Sequence, residues 1–342
     1  MTDIKQIRRL QLTGGSTYIV SIPKNWIDDL QLKKNSSITL VKNPNDSITL
    51  FQTDQSKKRH AIALMGKNDS KESIRRKIIA IYLSGYNIIE IKTKGIEISS
   101  KNRGIIRDLV RSTLMGTEII EASSEKMVLQ VLTNLSQLSF EIALKRMYIT
   151  AINMHREAIQ ALKEMDVNYA EEIVKMDDEV DRFSLYMMRN LNLSLEDVQI
   201  LLDSGLKKSS ECLGYRTVVK CVERIADHAA LIAKKVKYLN SPINKKTIKE
   251  IEELSEDALT VFENSITSLS KRDYLIAEKV ASTVSKVIEK EKKQMDSLKS
   301  TENTPILKLV LEDIRRTAEY SSDISEVVID ETVQSVIEES LN

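Results

Sequence analysis

Between Tyr215 and Val236 the apolar residues Val218, Val222, Ile225, Ala229, Ile232 and Val236 recur every three or four positions, the stripe of an amphipathic helix packed on other helices. The same period governs the chain beyond about residue 135. It predicts helices over Leu138–Met165, Asn168–Leu191, Lys208–Leu239, Asn244–Leu269, Arg272–Leu298 and Ile306–Ile337. Pro242 and Pro305 fall in the connections, where a helix stops. Three helices are thus followed by three more. Asn168–Val174 corresponds to Asp273–Val280 with small offsets, and each set ends in a helix bearing Glu-x-x-x-Asp, so the back of the chain reads as an internal repeat.

Ahead of residue 135 the period is mostly two. Arg8–Leu12 and Ser16–Ile22 alternate as strands around Gly14-Gly15, and Pro23 opens a short helix over Lys24–Leu30. Strands Ser37–Lys42 and Ser47–Gln52 flank a turn at Asn43–Asp46. A unit this small, built of short strands, buries too little surface to stand alone and is expected to dimerise. Residues 70–134 read as α+β, with helices over Ser70–Leu83 and Ser100–Leu114 and strands at Asn87–Thr93, Glu118–Glu121 and Met127–Leu132. No phosphate-cradling glycine loop or nucleophile elbow occurs there; a connecting or dimerising module is expected. All nine glycines precede Tyr215, which separates an α+β front from an all-α back. The division expected is 1–54, 55–134, 135–240 and 241–342.

Charge changes the picture only locally. The chain of 342 residues holds 51 Lys and Arg against 50 Asp and Glu, but residues 1–60 carry a net +5 and the remainder −4. The basic excess belongs to the first module. Cys212 and Cys221 match neither a redox pair nor a zinc knuckle and suit buried thiols in a reducing compartment. The first residues lack an apolar signal core and no apolar run reaches the ~20 residues of a membrane span, so a cytoplasmic protein without membrane insertion is expected.

Carboxylates supply the candidate chemistry. Taking Val222 as the centre of its stripe, Glu223 and Asp227 fall at roughly 100° and 140°, at the edge of the buried face. Asp177 and Asp181 take the same place on the preceding helix, about 60° and 100° from Val180. One acidic pair at this spacing is what chance supplies; pairs at equivalent places of a repeat, with Glu319 and Asp323 on the final helix, are not. Four carboxylates brought together repel unless a hard or borderline cation or nearby Arg and Lys neutralise them, and the residues alone leave both open. His228, at roughly 240° from the stripe centre, is either a surface residue or an outer ligand. His60 and His155 have no partner pattern, and the methionines read as core fillers.

Two resemblances add to this. Leu12-Thr13-Gly14-Gly15, Ser21–Ile27 and Leu30–Ser36 resemble the AbrB/SpoVT/MazE swapped-hairpin family. That likeness implies an intertwined homodimer through residues 1–54 whose basic residues contact DNA. Carried over by position, the contacts are Arg8 and Arg9 on the first strand and Lys24 after the proline; Asn35 stands where that family usually has a glycine. Val222–Ala229, with Met176–Phe183 and Arg189–Leu191, resembles the PhoU family of phosphate-uptake regulators over roughly residues 136–340. It implies two three-helix bundles binding iron, zinc or magnesium on Asp177, Asp181, Glu223 and Asp227, and on Glu319 and Asp323. In the second bundle Val284 and Ile288, which cannot ligate, face the final helix, so one full and one partial site are expected.

The resemblances imply a regulator of phosphate uptake and homeostasis, not an enzyme, that communicates with components of the phosphate ABC transporter. With a reader of DNA on the same chain, a sensor kinase could be bypassed. The alternatives are a metal-binding scaffold or adaptor acting only through protein partners, and a di-iron carboxylate enzyme. The second lacks the usual Glu-x-x-His pattern, since neither His155 nor His228 has Glu three residues before it.

Overall fold

A computed structural model describes residues 5–42, 47–52, 59–66, 69–93, 97–132 and 138–337. The turn expected at Asn43–Asp46 and the boundaries expected at 54/55 and 134/135 lie outside these residues. The chain forms two compact units, Met1–Lys57 and Lys58–Asn342.

In the first unit β1 (Gln11–Thr13) pairs antiparallel with β2 (Thr17–Ile19), Leu12 opposite Tyr18. Gly14 and Gly15 make the turn at φ 60° and 81°, backbone that glycine enters freely. These strands are shorter than expected: Val20–Ile22 runs into Pro23, which has no N–H to extend a ladder. Arg8 and Arg9 therefore precede β1 instead of standing on it. Pro23 opens α1 (Lys24–Asp29), and β3 (Ile38–Lys42) pairs antiparallel with β4 (Ile48–Gln52). Asn35 takes φ 68°, a left-handed conformation that Asn tolerates better than other side chains. None of this unit's described side chains is buried, and Leu12, Tyr18, Ile19, Leu40 and Ile48 are exposed.

The second unit begins with a four-stranded sheet in the order β5-β6-β8-β7. β5 (His60–Met65) and β6 (Ile88–Thr93) are parallel, joined through α2 (Lys71–Leu83). α3 (Ser100–Ser112) leads to β7 (Thr117–Ala122) and β8 (Lys126–Val131), both in antiparallel pairings. Ser70 and Ser99 cap the two helices by accepting from Ser73 N and Asn102 N. Ile74, Ile78 and Tyr82 of α2 and Ile106 and Leu109 of α3 share one core with Ala63, Ile89, Ile91 and Leu129 of the sheet, so both helices cover the same face. β5 is a strand the period-two reading did not pick out.

Among the described residues seven α-helices follow: α4 (Phe140–Glu164), α5 (Val167–Glu196), α6 (Val198–Asp203), α7 (Glu211–Lys235), α8 (Lys245–Lys271), α9 (Tyr274–Ser297) and α10 (Thr304–Thr332). α4, α5 and α7 form one three-helix bundle and α8, α9 and α10 the other, with α7 also packed along α10. The apolar core runs through both; the divide expected at 240/241 is a loop between α7 and α8, not a break in the core. The repeat is visible in the turns. Met165 (φ 55°) precedes Asp166, whose side chain caps α5 by accepting from Tyr169 N. Arg272 (φ 50°) precedes Asp273, which caps α9 by accepting from Ile276 N. Aligned on these caps, Val284 and Ile288 stand where Asp177 and Asp181 stand, as expected from the sequence.

α5 also docks the sheet module. Arg189, buried against the end of α2, donates to the Tyr82 carbonyl and lies 4.9 Å over the Tyr82 ring. Asn192 donates to Leu83 O at 2.9 Å, and Arg59 pairs with Glu196 at 2.8 Å.

Candidate functional site

Asp177 and Asp181 are one turn apart on α5, half-buried at the edge of the stripe that includes Ile173, Val180 and Phe183. Glu223 and Asp227 are half-buried in the same way on α7, beside Val222, Ile225 and Ala226. α5 and α7 pack together, and the two pairs act on each other's ionisation. Burial, then the charges of Asp227 and Asp181, push the Asp177 carboxyl up to about 7. Burial, then Glu223 and Asp227, push Asp181 up to about 6. Asp227 is raised by burial and by Glu223. The nearby cations are few: Lys220, ion-paired with Glu223, and Lys234. Asp177 Oδ1 is shielded from solvent and has no hydrogen-bond partner. A buried carboxylate oxygen left without a donor costs free energy.

Among the described residues no three His, Cys, Asp or Glu side chains converge closely enough to hold an ion as they stand. The donor chemistry nevertheless fits one: hard oxygen ligands from two helices, an excess of negative charge and an orphaned oxygen.

The second bundle is arranged differently. Glu319 is ion-paired with Arg315 and with Arg316, the latter at 3.1 Å. Arg315 also lies 3.7 Å from Glu291, a buried acid of α9, and 3.7 Å from Glu312. Asp323 faces α7, where Cys221 Sγ stands 4.0 Å from its Oδ2. Glu319 is thus neutralised by arginines, and Val284 and Ile288 bring it no opposing carboxylate. Of the six acids singled out in the sequence, the structure gathers Asp177, Asp181, Glu223 and Asp227.

A second polar cluster escaped sequence reading. Asp313 of α10, nearly buried, holds His228 Nδ1 at 2.8 Å and pairs with Lys235, both from α7. Deeper in, His155 Nδ1 is 3.1 Å from Ser255 Oγ, while its Nε2 is buried without a partner. Burial pulls His155 down to about 4, against the attraction of Asp313. The available signal was Asp313 itself, an acid inside the apolar stripe of Val310, Leu311 and Ile314. In the first unit Arg8, Arg9 and Lys24 are exposed, with Arg8 Nη2 donating to Gln6 Oε1 at 2.5 Å.

Comparison with known proteins agrees with both resemblances. Residues 144–236 match the family model of the PhoU domain, and residues 11–60 match that of MazE, described as antidote-toxin recognition, bacterial antitoxin. No curated protein sequence matches. Among solved structures, PhoU from Pseudomonas aeruginosa is similar at 16% identity, covering 57% of this chain and 96% of its own, with a TM-score of 0.47. The phosphate transport system regulatory protein PhoU from Streptococcus pneumoniae is similar at 17% identity, covering 58% and 96%, with a TM-score of 0.48. Among the described residues no helix is long and apolar enough to cross a membrane.

Proposed function

We propose that the chain is a regulator of phosphate homeostasis that reads DNA through a dimer of its first unit and senses state through its first helical bundle. The observation that carries this reading is the presence, on one polypeptide, of a PhoU match over the first bundle and a MazE match over the hairpins. A regulator so built needs no separate protein to link sensing to DNA. Dimerisation is supported by the first unit itself, whose described side chains find no interior and whose apolar residues face outward. A second copy would bury them.

Asp177, Asp181, Glu223 and Asp227 would hold a divalent cation or iron, which supplies the positive charge their mutual repulsion calls for. Glu319 and Asp323 form at most a partial second set, because Arg315 and Arg316 already satisfy Glu319. Components of the phosphate ABC transporter are proposed as partners of the helical part.

The test is a salt-titrated binding assay of the full chain on DNA from upstream of phosphate-transport genes. Wild type should bind with a steep salt dependence, and Arg8→Ala with Arg9→Ala should flatten the slope by about 2, near 0.9 for each phosphate no longer neutralised. Equal affinity and slope in both proteins would remove DNA contact from the hairpins, and no binding by wild type would leave an adaptor acting through protein partners. Metal analysis of protein purified without chelator tests the other half: Asp177→Asn/Asp181→Asn should lose the bound ion and Glu319→Gln should keep it.

A further inference from the structure

The sheet module of residues 59–132 carries a charge asymmetry that the roles of a spacer or clasp do not use. On α2 the charged residues are Lys71, Arg75, Arg76 and Lys77 against Glu72, and on α3 they are Lys101, Arg103, Arg107 and Arg111 against Asp108. Both helices cover one face of the sheet, so their outer surfaces form a single face with a strong basic excess. Some of these cations serve the fold: Lys77 pairs with Asp69 at 2.8 Å, Arg103 donates to Ile98 O at 2.6 Å, and Arg75 donates to Thr113 Oγ1 at 3.3 Å, tying α2 to the end of α3. Arg76, Arg107 and Arg111 do not. They are exposed, and no ion pair or hydrogen bond among the described residues engages their side chains. Their spacing from the buried positions turns them about 130–170° away from the core.

A second observation points the same way. Gly104 sits in the interior of α3 on the outward side, in line with Arg107 and Arg111, and a Cβ added there would meet nothing within 4 Å. A mid-helix glycine costs roughly 0.5–1 kcal/mol relative to alanine, and the fold gives no reason for it. A bare backbone between arginines lets an external chain come close.

We infer that the α2/α3 face is a second binding surface for duplex DNA, contacting the phosphate backbone through Arg76, Arg107 and Arg111. Arginine suits phosphate through its planar fork of donors. The surroundings select among polyanions. No large hydrophobic residue is exposed on α2 or α3, whereas a helix that enters a membrane surface needs an apolar face to insert. The aromatic residue of these helices, Tyr82, is fully buried, so the face offers no platform on which unpaired bases could stack. The inference deepens the proposed function and rests on its DNA reading. It adds a contact that is indifferent to sequence, so that the hairpin dimer selects the site while the sheet module adds affinity.

The test uses the full chain, a random-sequence duplex and vesicles of phosphatidylserine with phosphatidylcholine. Arg76→Gln/Arg107→Gln/Arg111→Gln keeps good helix formers at exposed positions, and an unchanged melting temperature will confirm the fold. This variant should bind the duplex at least about tenfold more weakly, with a salt slope smaller by about 2.7, near 0.9 for each of the three arginines removed. Wild-type affinity and slope in the variant, with binding lost in Arg8→Ala/Arg9→Ala, would overturn this inference and leave the proposed function standing. The opposite pattern would keep the inference and remove DNA contact from the hairpins. Failure of wild type to bind duplex, or binding to the vesicles that the triple variant alone abolishes, would also overturn it.

Discussion

Asp177 and His155 place opposite demands on pH. Asp177 is held at about 7 in the fold against an ordinary 3.8, so between those values the folded, metal-free protein binds more protons than the unfolded chain. Its stability therefore falls as pH rises through that window. Asp177→Asn should stabilise chelator-treated protein at pH 8 by on the order of 1–2 kcal/mol once solvent screening is allowed for, while abolishing the stabilisation that the proposed cation should give wild type. Paired thermal melts with and without metal check both halves. His155, fully buried and held at about 4 against an ordinary 6.5, acts in the other direction. The unfolded chain takes up the proton first, so stability is lost as pH falls from about 6.5 to 4, by up to roughly 3 kcal/mol. His155→Gln keeps a partner for Ser255 without titrating; because Asp177 and Asp181 titrate over the same range, the check is that taking the pH from 7 to 5 lowers the urea midpoint of wild type relative to that of this variant.

Among the helices, α5 joins two parts of the molecule. It carries Asp177 and Asp181 and, a few turns on, the arginine seated against the α2 terminus. Arg189→Ala would leave the Tyr82 carbonyl without its donor and remove the cation over the ring, at a cost of about 2–3 kcal/mol. The loss should appear as faster amide exchange at the end of α2, with the far end of α5 unaffected. That docking was not legible in the sequence. Arg189 stands among residues that read as family motif, but nothing in a linear pattern says that its guanidinium reaches a carbonyl 107 positions away. The acids of α7 were legible because their spacing recurs in Glu319 and Asp323 of α10; those of α5, whose counterparts are Val284 and Ile288, were legible from their place at the edge of an apolar stripe. Asp313 was not, because an acid in an apolar stripe becomes intelligible only with His228 and Lys235 supplied by another helix. β5 was missed for a local reason: His60-Ala-Ile-Ala-Leu-Met65 alternates large apolar residues with alanine, so its period-two signal is weak.

For the molecule as a whole, the two units differ in what they need from a second copy. The core shared by α7 and α10 lets the two bundles fold together, whereas the hairpin unit exposes the apolar side chains that a core would use. Deleting residues 1–57 should leave the remainder folded and monomeric, while the full chain sediments as a dimer; sedimentation velocity decides it. A full-length monomer, or a truncated chain that still dimerises, would place the contact elsewhere. The six long stripes predicted the bundles well because each apolar face has a helical neighbour. The first two strands were predicted too long because alternation carries on through Val20–Ile22 into Pro23, where no ladder hydrogen bond can follow.

The paired turns Met165-Asp166 and Arg272-Asp273 show one backbone design carrying two different sets of side chains. This makes the first bundle a template for grafting. Val284→Asp and Ile288→Asp, with Arg315→Val and Arg316→Ala to free Glu319 and Glu291→Gln to avoid an unpaired buried acid, would transplant the acidic quartet into the second bundle without altering a turn or a cap. Such a variant should take up additional metal, measured as ions per chain. The frame that repeats here is indifferent to the chemistry it carries, and that chemistry can be moved from one copy to the other.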